Sequence, residues 1–150
     1  MQLSPIVYDS FVRQRWLTKK YIHQYIMDHC ELESKHVLDF GSGTGANCTL
    51  VSPEYYIGLD PDEKRVNFAN KKYPDHRFNV MAQDQIPIPN HSIDLIMIIA
   101  VLHHIPLNKL ELYIDFCIFH IPVRIIILTI TEYVFNFPNN TKWMFFLHIT

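Results

Sequence analysis

The chain has 150 residues, a length that fits one domain. Thirteen Lys and Arg against fifteen Asp and Glu leave a formal charge of −2, which argues against a nucleic-acid partner and against a solvating acidic tail. Apolar residues at 49% and charged ones at 19% favour a globular chain over a disordered one. At this length folding buries roughly 68–70% of the unfolded surface, enough for a core without staples.

The N-terminus reads MQLSPIVYDS, with no basic stretch leading into an apolar one, so an unprocessed, cytoplasmic chain is expected. Cys30, Cys48 and Cys117 are scattered and include no C-x-x-C, so neither a disulfide framework nor a zinc knuckle is expected. The apolar runs Ile93–Leu102 and Ile125–Ile130 fall far short of the ~20 residues of a membrane span.

Residues 8–29 carry helical spacing. Phe11, Val12, Trp16, Ile22, Tyr25 and Ile26 fall on one face, and Arg13, Lys20 and Gln24 fall elsewhere. This helix has two readings, a lid over a site or a packing helix. From His36 the pattern changes to short apolar runs alternating with helical stretches. Strands are predicted at Val37–Phe40, Tyr55–Asp60, Arg77–Met81, Ile93–Val101 and Val123–Thr131. The fourth is almost wholly apolar, which fits burial on both faces of a parallel sheet. Pro61 is placed to open one helix, with Val66, Ala69 and Tyr73 turned inward. Pro106 is placed to open another, with Leu107, Leu110, Ile114 and Ile121 on one stripe. The whole reads as a Rossmann-like α/β domain with a mainly parallel sheet of about five strands and helices on both faces. A helical segment (1–34), a cofactor-binding core (35–134) and a tail (135–150) divide it.

Three features carry chemistry. The first is the turn Gly41-Ser42-Gly43-Thr44-Gly45 after the first strand, followed by a predicted short helix. Glycine admits positive φ and close approach of a ligand, and N–H groups exposed there would suit an anionic or polar ligand. Its G-x-G-x-G spacing differs from the G-x-G-x-x-G of dinucleotide-binding enzymes. The second is Asp60, nineteen residues after Gly41 at the end of the second strand. It has two readings, as acceptor to both ribose hydroxyls or as cap of the following helix. The third is His103-His104 after the fourth strand, where an open α/β sheet places its ligands. One histidine could act as general base, or the pair could simply shape the pocket. No H-E-x-x-H occurs, so no catalytic metal is expected.

From Val37 to Ile105 the sequence resembles the class I S-adenosylmethionine-dependent methyltransferases. VLDFGSGTG is similar to their first motif and YIGLDP to their second. IPIPNHSIDLIMIIAVLHHI is similar to their block spanning the fourth strand. The resemblance implies S-adenosyl-L-methionine as cofactor. It implies that Asp39 and the backbone around Gly41 and Gly43 meet the methionine part and that Asp60 holds the ribose. Ser42, Gly45, Pro61 and Ala100 join that set. It also places the adenine against the loop after the third strand, where Ala82 stands at the usual acidic position. Either Asp84 substitutes there, beside Gln83, or the adenine relies on backbone and apolar contacts.

Two further departures are Phe119–Arg124, where a Lys-Pro-Gly-Gly turn is common, and a shortened C-terminal edge. The implied function is methyl transfer to a small-molecule acceptor. The alternatives are a non-catalytic S-adenosylmethionine-binding module and a nicotinamide-dependent oxidoreductase. An open C-terminal edge would be covered by the apolar tail Trp143–Leu147 or by a second protomer, making a homo-oligomer.

Overall fold

The computed structural model describes residues 18–81, 88–89, 92–101, 104–106 and 109, and the strands Arg124–Thr129 and Phe145–Ile149. Among the described residues six strands form one sheet: β1 (Val37–Phe40), β2 (Tyr56–Asp60), β3 (Arg77–Val80), β4 (Leu95–Ile99), β5 (Arg124–Thr129) and β6 (Phe145–Ile149). Their order is β3-β2-β1-β4-β5-β6. The first five are parallel, with Asp39 opposite Gly58 and Met97 at the centre. All five predicted strands are present, each within two residues of its predicted bounds. The sixth was not predicted: Phe145–Ile149 pairs antiparallel with β5, so the apolar tail supplies an outer strand.

Alternation along the strands divides the core into two faces. Val37, Tyr56, Phe78, Leu95, Met97 and Ile99 share one face with Ile22, Ile26, Val66 and Ala69. Leu38, Phe40, Leu59, Ile96 and Ile98 fill the other. α1 (Gln24–His29) continues a π-helical turn at Thr18–His23. Ile22 and Ile26 are buried, so this part of the N-terminal helix packs on the sheet. The remainder of that helix lies outside the described residues, as does the helix expected after Pro106 beyond its first residues.

α2 (Glu63–Lys72) buries Val66 and Ala69, with Tyr73 packed beside them. Its cap is Asp62, whose carboxylate accepts from the N–H groups of Lys64 at 2.9 Å and Arg65 at 3.3 Å. Pro61 therefore precedes the cap instead of opening the helix. The helix expected after the glycine turn is a single 3₁₀ turn, Cys48–Leu50. Pro53 opens a second such turn and β2 begins at Tyr56, so too few residues remain for a longer helix. Among the described residues, no helix is long and apolar enough to cross a membrane.

Candidate functional site

The strand order reverses between β1 and β4, the place where open α/β sheets bind ligands beyond the strands' carboxyl ends. A cleft of about 270 Å³ lies there. Gly41 and Gly43 form its β1 wall. Asp60, Pro61, Asp62 and Arg65 form its β2 wall. Ile99, Ala100, Val101 and His104 form its β4 wall.

The glycine turn is fixed by its own amides. The N–H groups of Gly41 and Ser42 both donate to the carbonyl of Leu59, at 2.7 and 2.9 Å. Gly43 N–H donates to Asp60 Oδ2 at 2.8 Å, and Gly45 N–H donates to the carbonyl of Ser42 at 3.0 Å. Four of the turn's five positions thus spend their donors inside the protein. This corrects the expectation of exposed N–H groups. A phosphate cradle needs such donors turned outward, and the short 3₁₀ turn that follows supplies little dipole.

Two glycines shape the space. At Gly41, with φ of +78°, a Cβ would stand 2.3 Å from Val101 Cγ2. At Gly43, with φ of +55°, a Cβ would meet only Asp60 Oδ2 among the described residues, at 3.9 Å, and it would project toward the cleft. Ala100 adopts φ of +57° where β4 enters this wall. For an alanine that conformation costs roughly 1–2 kcal/mol.

Asp60 is 5% exposed. Its second oxygen accepts from Asp62 N–H at 2.9 Å, so both oxygens hold backbone while each keeps a further lone pair. It does not cap α2. Burial pushes its carboxyl above the ordinary range, opposed by the N–H groups of Asp62 and Gly43 and by Arg65. Arg65 Nε lies 3.4 Å from Asp62 Oδ2. Two carboxylates against one guanidinium make this wall acceptor-rich.

Asp39, Ser42 and Gly45 stand behind the lining. Asp39 is buried, and its Oδ2 accepts from the Tyr56 hydroxyl at 2.8 Å and from Asn47 Nδ2 at 3.2 Å. Ser42 is seated over Gly58, where a Cβ would fall 2.8 Å from Ser42 Oγ and 2.6 Å from Phe78 Cδ1. Gly45 packs against Phe78 and Tyr73. Ala82, Gln83, Asp84 and His103 lie outside the described residues. Sequence reasoning did not single out Arg65, Tyr56, Asn47 or Gly58. Gly58 carried the one available signal, as a glycine inside a predicted strand.

Residues 38–115, more than half of the chain, match the family model of the methyltransferase domain. The chain belongs to that family. No curated protein matches it by sequence. Solved structures are similar in fold. A SAM-dependent methyltransferase from Archaeoglobus fulgidus is 25% identical, with a TM-score of 0.64 over 85% of this chain and 58% of its own. The YcgJ protein from Bacillus subtilis is 22% identical, with a TM-score of 0.59 over 71% of this chain and 49% of its own. The magnesium protoporphyrin IX methyltransferase from Synechocystis, solved with bound SAH, is 18% identical. Its TM-score is 0.62 over 89% of this chain and 64% of its own. The chain thus spans between about half and two thirds of the length of these three.

Proposed function

We propose that this chain binds S-adenosyl-L-methionine in the β1–β2–β4 cleft and transfers its methyl group to a small-molecule acceptor. One observation carries the choice of ligand. The glycine turn keeps its amide donors for Leu59, Asp60 and Ser42, while the facing wall offers the Asp60 carboxylate. Such a cleft favours a ligand that brings donors and positive charge, as a ribose diol, an ammonium and a sulfonium do. It disfavours a pyrophosphate, which must be given donors. S-adenosylmethionine, when bound, supplies a methyl on a sulfonium that needs no further activation.

Asp60 accepts from the ribose hydroxyls through its remaining lone pairs. The bare Cα of Gly43 leaves the space that the methionine part enters. Ile99, Ala100 and Val101 exclude water from the β4 side, and Pro61 and Arg65 border the ribose side. Asp39, Ser42 and Gly45 serve the cofactor indirectly, by seating the turn. Gln83 and Asp84 are assigned to the adenine side. His104 stands at the rim with His103 before it, the place for a base toward an acceptor hydroxyl.

Alignment of donor and acceptor can lower the barrier by on the order of 7–11 kcal/mol, so a strong base is not required. The cytoplasm is the proposed location, and β6, the outer strand, is the proposed edge for any homo-oligomer. Residues 1–34, 35–134 and 135–150 are proposed as helical segment, core and tail.

The test is turnover. The chain is incubated with S-adenosylmethionine and a panel of hydroxyl, amine and thiol acceptors, and S-adenosylhomocysteine is measured. Acceptor-dependent product supports the reading. Saturable binding with no product across the panel makes the chain a binding module.

A further inference from the structure

We propose that Tyr56 and Asn47 are positioning residues of this cleft, acting through Asp39 to brace the glycine turn from behind. The inference rests on reading the cleft as an S-adenosylmethionine site.

Asp39 is the penultimate residue of β1, two residues before the turn's first glycine, and Asn47 follows the turn's last glycine by two residues. The contact from Asn47 Nδ2 to Asp39, at 3.2 Å to Oδ2 and 3.4 Å to Oδ1, closes the segment between them into a loop. Asp39 and Asn47 are each 1% exposed, so water does not compete for the contact. Tyr56 completes the brace from the neighbouring strand. The parallel register sets Tyr56 opposite Val37, on the same sheet face as Asp39, and its hydroxyl reaches Asp39 Oδ2 at 2.8 Å. Its ring is held edge-on by His76 and Phe78, at centroid distances of 5.4 and 5.5 Å.

The donor of Tyr56 therefore arrives from a fixed ring, and it fixes the carboxylate that Asn47 must meet. The front of the turn is pinned separately, by Leu59 and Asp60. Without the brace, Gly41 and Gly43 would keep their bonds to Leu59 and Asp60, but the run from Thr44 to Asn47 would lose its rear anchor. Gly43 would then be held from the Asp60 side alone, and the wall it forms with the following residues would sample positions that do not match the ligand, one of which binding would have to restore.

Two variants test this, both close to the natural side chain in shape. Tyr56→Phe keeps the ring and removes the hydroxyl. Asn47→Asp keeps the volume and turns the donor into a second carboxylate against Asp39. The first readout is amide hydrogen exchange of residues 41–47 in the unliganded chain, against the amides of β1 and β2. The second is titration with S-adenosylhomocysteine and, separately, with adenosine, which lacks the methionine part.

The brace predicts faster exchange confined to the turn. It also predicts roughly tenfold weaker S-adenosylhomocysteine binding, the scale of a lost hydrogen bond to a charged group, with adenosine affinity kept within about twofold. Unchanged S-adenosylhomocysteine affinity in both variants would overturn the proposal. So would equal losses for both ligands with exchange rising across the whole sheet, since that is a merely structural effect. A wild-type chain that binds neither ligand would overturn the reading of the cleft, and the exchange comparison would still decide the brace.

Discussion

The carboxylate of Asp60 holds the backbone of Gly43 at 2.8 Å, so the end of β2 and the centre of the glycine turn move as one body. Its other oxygen holds Asp62 N–H, at the entrance to α2. A residue expected to serve a ligand thus also joins three pieces of the site before any ligand arrives.

Asp60→Ala should therefore cost both stability and affinity. Two backbone donors lose a charged acceptor, worth roughly 1.5–3 kcal/mol each before the relief of removing a desolvated charge. A net loss of about 2–3 kcal/mol is expected by chemical denaturation. Asp60→Asn keeps one oxygen as acceptor and should lose about 1 kcal/mol. Both should weaken S-adenosylhomocysteine binding at least tenfold by calorimetry. A variant with native stability would show that the two backbone contacts contribute little.

The pH dependence of binding follows from the same carboxyl. Burial raises its folded pKa above the unfolded value. The stability attached to this group is therefore fully present below the unfolded pKa and lost as pH rises through the folded one. A ligand that donates hydrogen bonds prefers the ionised form. Affinity should stay level near neutrality and fall as pH drops through the raised pKa, with Asp60→Asn abolishing that step. Asp94 has the opposite sign: the backbone N–H of His36 at 2.9 Å holds its carboxyl below the ordinary range. Its contribution is present above the unfolded pKa and lost as pH falls through the folded one. Titrations run from about pH 8 to 4 separate the two, since only the Asp60 step responds to ligand.

The glycines should divide by role. Gly41→Ala and Gly58→Ala bring a Cβ to 2.3 Å from Val101 and 2.6 Å from Phe78, so each should destabilise the fold by roughly 2–4 kcal/mol. Gly43→Ala meets no wall among the described residues and carries the backbone cost, about 1–2 kcal/mol. On the proposed reading its methyl group enters the ligand's space, so it should melt nearest to wild type among the three while losing the most affinity per kcal/mol of stability. Melting and titration of the three variants check this order.

Cys48 is fully buried, and burial, aided by the charge of Asp39, pushes its thiol up to about 12. A thiol so held presents almost no thiolate at neutral pH. Alkylation of Cys48 should proceed only as fast as the segment opens, and bound S-adenosylhomocysteine should slow it further. Rapid modification in the native chain would contradict the packing of the segment behind the turn.

The five parallel strands were legible because short apolar runs, punctuated by signals such as the glycine turn at Gly41 and Pro61, announce themselves locally. The places of the glycine turn and Asp60 at the cleft were legible because residue type and spacing set them at the ends of β1 and β2. β6 was not, because Phe145–Ile149 has no period of its own and becomes a strand only by pairing with β5. The 3₁₀ turn at Cys48–Leu50 replaces the predicted helix because the limit set by Pro53 and β2 is a matter of room, which no local pattern carries. The Tyr56–Asp39 contact follows from register between two strands seventeen residues apart in sequence, and no local pattern carries it. The same holds for the amides of the turn: residue type and spacing leave their donors facing outward, and only the fold brings Leu59 and Asp60 to accept them.

The central claim is that this cleft receives a ligand bearing donors and positive charge, not one bearing a pyrophosphate. Calorimetric titration of the wild-type chain with S-adenosylhomocysteine and with NAD, under one buffer and salt condition, tests it most directly. Saturable one-to-one binding of S-adenosylhomocysteine, with no heat from NAD, is the predicted result. Saturable binding of NAD with none of S-adenosylhomocysteine would contradict it.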